Sequence, residues 1–214
     1  MPRDGSDTRD RLLRSAEYLF ARSGIDVPIR EIHERAGQRN ASATQYHFGS
    51  KQDLVRAVID RHALCATEIA AIRADLRARR DDPRSLVEAI VRRIAGYLAT
   101  PEERDYVRIV FQLLFRAPIR SDLDAEIDRP DLISFEAEID VIRSAVPYLS
   151  KRVMHERALA GLTFITLQVA ERARIIDDEP GEPPLDEEAF IANLVDMTTA
   201  LLTAPAFAAQ TAVG

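Results

Sequence analysis

The chain has 214 residues, 46% of them apolar, enough to fill the core of one large helical domain and a small satellite. A net charge of -6 argues against nucleic acid as a partner until it is divided. Up to Arg56 there are 10 basic and 8 acidic residues, and beyond it 19 and 27, so the first part carries +2 and the remainder -8. No apolar run near the length of a membrane span is present, the start lacks the apolar segment of a signal peptide, and a lone cysteine, Cys65, can make no internal disulfide. Scarce glycine and the absence of strand alternation predict an all-α protein, expected in the cytoplasm.

Residues 1 to 7 read as a frayed polar arm. The first helix is predicted from about Thr8 to Ser23, with Leu12, Leu13, Ala16, Leu19 and Phe20 on one face and Gly24 ending it. Pro28 suits the first turn of a second helix, because its missing N–H would be unpaired there anyway. Ile29, Ile32, His33 and Ala36 then make one apolar face, and Gly37 sits where the helix needs a residue tolerant of positive φ. After Gln38-Arg39, Asn40 can cap a third helix over Ala41 to His47 by accepting a backbone N–H, and Phe48 returns the chain to the core. The pattern is a helix-turn-helix. Its second helix is slim and polar, the kind that enters a major groove, where Ser, Thr, Gln and Arg reach base edges.

Several spaced elements carry a family resemblance. Arg11-Leu12-Leu13 through Ala16, Phe20 and Gly24, then Ile29-Arg30-Glu31-Ile32, Ala36-Gly37 and Tyr46-His47-Phe48-Gly49-Ser50-Lys51 together resemble the TetR-type one-component transcriptional repressors, over roughly residues 8 to 60. Pro28 replaces a hydroxyl residue usual near the start of the second helix, and Gln45 stands where the family usually has a Tyr. On the reading unit, Arg39, Ser42, Thr44 and Gln45 are the candidates for base edges, and Arg30, Tyr46, His47 and Lys51 for phosphates.

Ser50, with Asp53 three residues on, is predicted to cap a long fourth helix whose stripe of Leu54, Val58, Cys65, Ile69, Ile72 and Leu76 runs for about seven turns. That helix would join a DNA-binding domain of residues 1–49 to a ligand-binding and dimerisation domain of residues 50–214. His62 and Cys65 offer two metal ligands at helical spacing, too few for a site without others, so no metal is expected. Pro83 opens a fifth helix with Leu86, Ile90, Val91, Ile94 and Leu98 inward, and Thr100-Pro101-Glu102-Glu103 opens a sixth. The sixth is apolar nearly all round, with Arg108, Gln112 and Arg116 as its polar row, facing solvent, a neighbouring helix or a ligand. After Pro118 and Pro130 a helix is expected from about Leu132 to Ala145. Ser150 caps an eighth, Lys151 to Ile176, and an acidic proline-rich loop leads to a ninth carrying Phe190, Ile191, Leu194, Val195, Met197, Thr198, Leu201 and Leu202. The last two helices have more apolar surface than one core face covers, which predicts a four-helix interface between two copies.

No Ser-His-Asp or Cys-His arrangement and no glycine-rich phosphate loop is legible, and His33-Glu34 lacks the second histidine of a zinc hydrolase helix. No enzyme, no cofactor and no membrane partner is therefore expected. The sequence reads as a homodimeric regulator of double-stranded operator DNA. The resemblance further implies a small-molecule ligand that releases the operator, bound among the fourth to eighth predicted helices. Phe111, Gln112, Phe115, Phe164 and Gln168 are the pocket candidates, with a mostly apolar occupant. An adaptor that keeps the fold without sequence-specific reading is the other open reading.

Overall fold

The computed structural model describes residues 5–40, 42–116, 141–142, 144–178, 181 and 183–205. Among these all regular structure is helical: α1 Gly5–Ser23, α2 Ile29–Arg35, α3 Ala43–Phe48, α4 Lys51–Asp60, α5 Ala66–Ala78, α6 Pro83–Ala95 followed by a 3₁₀ turn Gly96–Leu98, α7 Pro101–Arg116, α8 Lys151–Asp178 and α9 Glu187–Thr203. Ala41, most of the helix expected over 132–145 and the small-residue tail from 206 lie outside the described residues. The expected arm is shorter than read, since α1 already includes residues 5–7.

The described residues form two compact units, which part between Ala63 and Leu64 and again between Leu98 and Ala99. The first holds α1 to α4 and α7. Its core is built on Leu12, Ala16 and Phe20 of α1, Ile32 of α2, and Leu54 and Val58 of α4, all fully buried, as the helical spacing predicts. Leu19, counted on the same face, is only half-buried.

α7 is fixed to α1 along its length. Thr100 accepts the Glu103 N–H at 3.2 Å and donates to the Glu103 carboxylate at 2.9 Å, so the expected capping signal starts the helix. Asp105 meets Arg22 at 2.6 Å. Four residues short of the C-terminus, Gln112 donates its amide to the Phe20 carbonyl at 2.9 Å and accepts the Ile25 N–H at 3.2 Å. It thereby gives the Ile25 N–H a partner where α1 stops at Gly24 and adds a second donor to the Phe20 carbonyl, which already accepts the Gly24 N–H at 3.1 Å. Gln112 was a candidate ligand anchor; its amide is instead committed to the end of α1.

The long fourth helix is not continuous, which corrects the expectation of a single rod from Ser50 to Leu76. α4 ends at Asp60 and α5 begins at Ala66. Contacts with α1, and one at the start of α5, explain the break. Arg61 donates to Glu17 of α1 at 2.9 Å, and His62 Nε2 donates to the other Glu17 oxygen at 2.5 Å, so both side chains are drawn back to α1. Three residues on, the Cys65 N–H is taken at 2.7 Å by Glu68, a carboxylate in the first turn of a new helix. That hydrogen bond holds the Glu68 carboxyl below its ordinary range. Of the predicted stripe beyond Val58, Leu76 alone is buried and Cys65 is exposed.

The second unit holds α5, α6, α8 and α9. Asp82 caps α6, accepting from the Arg84 and Ser85 N–H groups at 3.0 and 3.2 Å, with Pro83 in the first turn. α6 buries Leu86, Val87, Ile90, Val91 and Ile94. α9, capped by Asp186 on the Ala189 N–H at 2.8 Å, lies against α6 and α8 through Ile191, Leu194, Val195 and Leu202. Outside that core Arg92 grips Glu188 with two nitrogens at 3.1 and 3.0 Å, and Arg84 pairs with Asp196. α8 comes close to α9 at the buried Gly161, where a Cβ would meet Thr198 and Leu202 at 3.6 Å. Arg157 of α8 closes the end of α9 by donating to the Leu202 and Ala204 carbonyls at 3.0 and 2.5 Å.

A candidate nucleic-acid interface

The site is the pair α2 and α3 with the turn between them. α2 begins after Pro28, whose carbonyl accepts the Glu31 N–H at 3.0 Å, and stops at Gly37, where φ is +64°. A side-chain-bearing residue there would be strained, so the sequence places the turn at that position. The turn is tied down at both ends. Gln38 donates its backbone N–H to the His33 carbonyl at 2.9 Å and its amide to Thr8 of α1 at 3.4 Å. Asn40 accepts the Ser42 N–H at 3.0 Å within the turn, but α3 starts at Ala43, two residues later than expected, with Ser42 at its N-cap and no side-chain capping bond, so the expected cap by Asn40 is corrected to a turn contact. Gly49, at φ +86°, ends α3, and Ser50 caps α4 by accepting the Asp53 N–H at 3.0 Å.

This scaffold divides the candidates for base contact. Arg39, Ser42 and Gln45 are exposed. Thr44 is not: it is 2% exposed, and its hydroxyl lies 2.7 Å from His33 Nε2 on α2. Thr44 turns inward beside Ala43, so its assignment to a base edge is corrected to a core position. Among the phosphate candidates, Arg30 is exposed and lies 3.6 Å from Glu34 one turn on, and His47 and Lys51 are half-buried. Tyr46 is 82% exposed, the highest value among the described large apolar side chains, with its ring edge-on to His47 at 4.9 Å. An exposed amphipathic ring can be brought onto a sugar-phosphate backbone without breaking any core packing.

Two further residues support the same face and were missed. Arg9 of α1 sits over the Phe48 ring, 4.9 Å from its centre, which puts another cation beside the end of α3. Arg35 of α2 stacks on Tyr18 of α1 at 3.4 Å, joining the two helices. Neither contact has a signal in the spacing of the sequence, since each joins residues brought together by the packing of α1.

The pocket candidates fall in different units. Phe111 and Gln112 are half-buried on α7 in the first; Phe164 and Gln168 are half-buried on α8 in the second; the side chain of Phe115 lies outside those described. Among the described residues no group of three or more His, Cys, Asp or Glu could hold a metal ion, and no helix is long and apolar enough to cross a membrane.

No protein-family model and no curated protein sequence matches the chain. Solved structures do. The HlyIIR mutant protein with residues 170-185 substituted by alanine is 17% identical, with 95% of this chain and 100% of that one covered and a TM-score of 0.54. A gamma-butyrolactone receptor described as ArpA-like is 19% identical, with 92% and 98% covered and a TM-score of 0.45. A TetR-family regulator from Streptomyces coelicolor, SCO0857, is 18% identical, with 95% and 99% covered and a TM-score of 0.34. The first of these carries the conclusion on fold: this chain has the all-helical architecture of HlyIIR, with an N-terminal helix-turn-helix and a larger helical domain.

Proposed function

We propose that the protein is a homodimeric DNA-binding transcriptional regulator, a repressor that reads a near-palindromic operator with α3 of each copy. One observation carries this reading. α3 turns Ala43 and Thr44 inward and Ser42, Gln45 and Tyr46 outward, so a short polar face stands free on a helix anchored by α1, α2 and α4. That is the geometry a major groove accepts. The TetR-type resemblance of residues 8 to 60 and the chain-wide fold match to HlyIIR support the same reading. Within it, Arg39, Ser42 and Gln45 read base edges, while Arg30, Tyr46, His47 and Lys51 fix register on phosphates.

Two copies join through α8 and α9, where Leu167, Ile176 and Met197 remain exposed after the unit has packed. Release follows when a small, mostly apolar molecule occupies the larger helical domain, with Phe164 and Gln168 of α8 as lining candidates. A coupling of about 1 to 3 kcal/mol per site lowers operator affinity roughly 5- to 150-fold.

Base and phosphate roles separate by experiment. Gln45→Ala is expected to cost about 1 to 3 kcal/mol at one base position and to relax preference there. Lys51→Ala weakens binding to all sequences alike and flattens the salt slope by about one. Titrating both variants against the operator and single-base variants of it, over a salt series, checks the assignment. A uniform loss for Gln45→Ala would remove it from the reading face.

A further inference from the structure

α3 has six residues, too few to be stable or to hold a direction by themselves. What faces α2 is small: Ala43, which offers a methyl group, and Thr44, which offers a hydroxyl. Opposite stands His33, 7% exposed and on the buried side of α2 with Ile32. The 2.7 Å contact between His33 Nε2 and Thr44 Oγ1 is a buried polar bond between the two helices of the motif. Such a bond is directional, whereas an apolar contact in its place would let a short helix roll. Thr44 also immediately precedes Gln45. Rotation of α3 about its axis therefore moves the outward residues across the face that meets a base pair, where hydrogen-bond geometry tolerates little error.

We propose that the His33–Thr44 hydrogen bond is the positioning contact that sets the roll of α3 and hence its base preference, and that protonation of His33, which leaves Thr44 Oγ1 able to accept but puts an unpaired charge between the two helices, loosens the seating of α3. The inference rests on the DNA-reading function proposed above. His33 is a positioning residue, since it acts on the outward face of α3 only by holding the inward Thr44.

The surroundings favour neutral His33. On α2, Glu34 is paired with Arg30, and Glu31 stands two residues before His33, a spacing that does not place two side chains on one helix face. Arg35 stacks on Tyr18. On α1, Asp7 and Asp10 pair with Arg11 and Arg14, Glu17 takes Arg61 and His62, and Arg9 lies over Phe48. α3 contributes His47 and no acid, and on α4, next to α3, Asp53 is engaged by Ser50 and Arg56 while Lys51 is half-buried. A buried imidazolium thus gains none of these carboxylates, and burial pushes the His33 pKa down. With the folded value below the unfolded one, the chain binds more protons unfolded. The stabilisation is complete above the ordinary histidine value of about 6.5 and is lost as pH falls below it.

The test compares wild-type protein with Thr44→Val, Thr44→Ser and His33→Gln. Two quantities are measured: the ratio of operator to competitor affinity from about pH 7.5 to about pH 5.5, and amide hydrogen exchange across residues 43–48 without DNA. Thr44→Val, which keeps the shape and removes the hydroxyl, is expected to lower the affinity ratio roughly tenfold and to speed exchange in α3. Thr44→Ser should restore both. The wild-type ratio should fall as pH falls below about 6.5, and His33→Gln, which cannot titrate there, should flatten that dependence. Thr44→Val with wild-type discrimination and wild-type exchange would overturn the inference, as would a pH profile unchanged by His33→Gln. Should wild-type protein fail to discriminate at any pH, the DNA-reading function itself fails, and unchanged α3 exchange in Thr44→Val then independently overturns the positioning role.

Discussion

Replacing Glu17 by alanine is expected to destabilise the first unit by about 3 kcal/mol. Glu17 is a carboxylate 3% exposed in the middle of α1, and it accepts from Arg61 and His62 just beyond the end of α4. His62 in turn stacks on Tyr106 of α7, with ring centres 4.4 Å apart and planes 17° apart. One side chain therefore joins three helices. Removing it strands two donors, and the cost sits at the low end for a broken buried pair because the Arg61 side chain is still 30% exposed and regains water readily. A drop in melting temperature of about 6 to 12 °C follows for a chain of this size. Glu17→Gln keeps one acceptor for two donors and falls between the two. Thermal melting of the three proteins checks the claim, and a Glu17→Ala variant that melts with the wild type would contradict it. Because α4 follows directly on α3 and Gly49, the same variant should also bind DNA more weakly.

Met197→Glu is expected to abolish the proposed dimer while leaving the fold of the second unit intact. Met197 is 40% exposed on α9, whereas Leu194, three residues earlier, is fully buried against the core. A carboxylate at the exposed position is solvated in a monomer and desolvated without a partner when two apolar faces close over it. A monomer keeps one reading helix and loses the linked second binding event. Its affinity for a two-half-site operator should fall on the order of a hundredfold or more, with helical content and melting close to wild type. Light scattering reads the first effect and DNA titration the second. A Met197→Glu protein that still dimerises would move the interface away from this face of α9. Leu194→Ala is a useful contrast, since truncating a buried leucine costs about 2 to 5 kcal/mol of fold stability whatever the oligomeric state.

Much of the architecture is legible from local chemistry. Asp82-Pro83, Thr100-Pro101 and Asp186 announce the starts of α6, α7 and α9, since a capping oxygen and a carboxylate or proline in the first turn satisfy N–H groups that every helix start leaves open. Gly37 and Gly49 mark the ends of α2 and α3 for an equally local reason, their positive φ. The break between α4 and α5 has no such sign. Arg61, His62, Ala63 and Leu64 include neither Gly nor Pro, and Val58 and Cys65, seven residues apart, keep the apolar stripe in phase. What ends α4 is Glu17, 44 residues earlier than Arg61 in the chain. The inward turn of Thr44 is equally hidden, because a threonine in a polar helix reads as outward until His33 is seen 11 residues away at hydrogen-bond distance. Gln112 misled for a related reason. A lone amide in an apolar helix suits a ligand, but the ligand here is the end of α1.

The most direct test of the whole account is fluorescence anisotropy of the purified protein against the DNA flanking its own gene, with a scrambled competitor and a salt series. The account predicts binding to one near-palindromic fragment about three or more orders of magnitude tighter than to the competitor, at two chains per site. Equal, weak and steeply salt-dependent binding to both, persisting over a wider set of genomic fragments, would contradict it and mark the protein as an adaptor that keeps the fold without the reading.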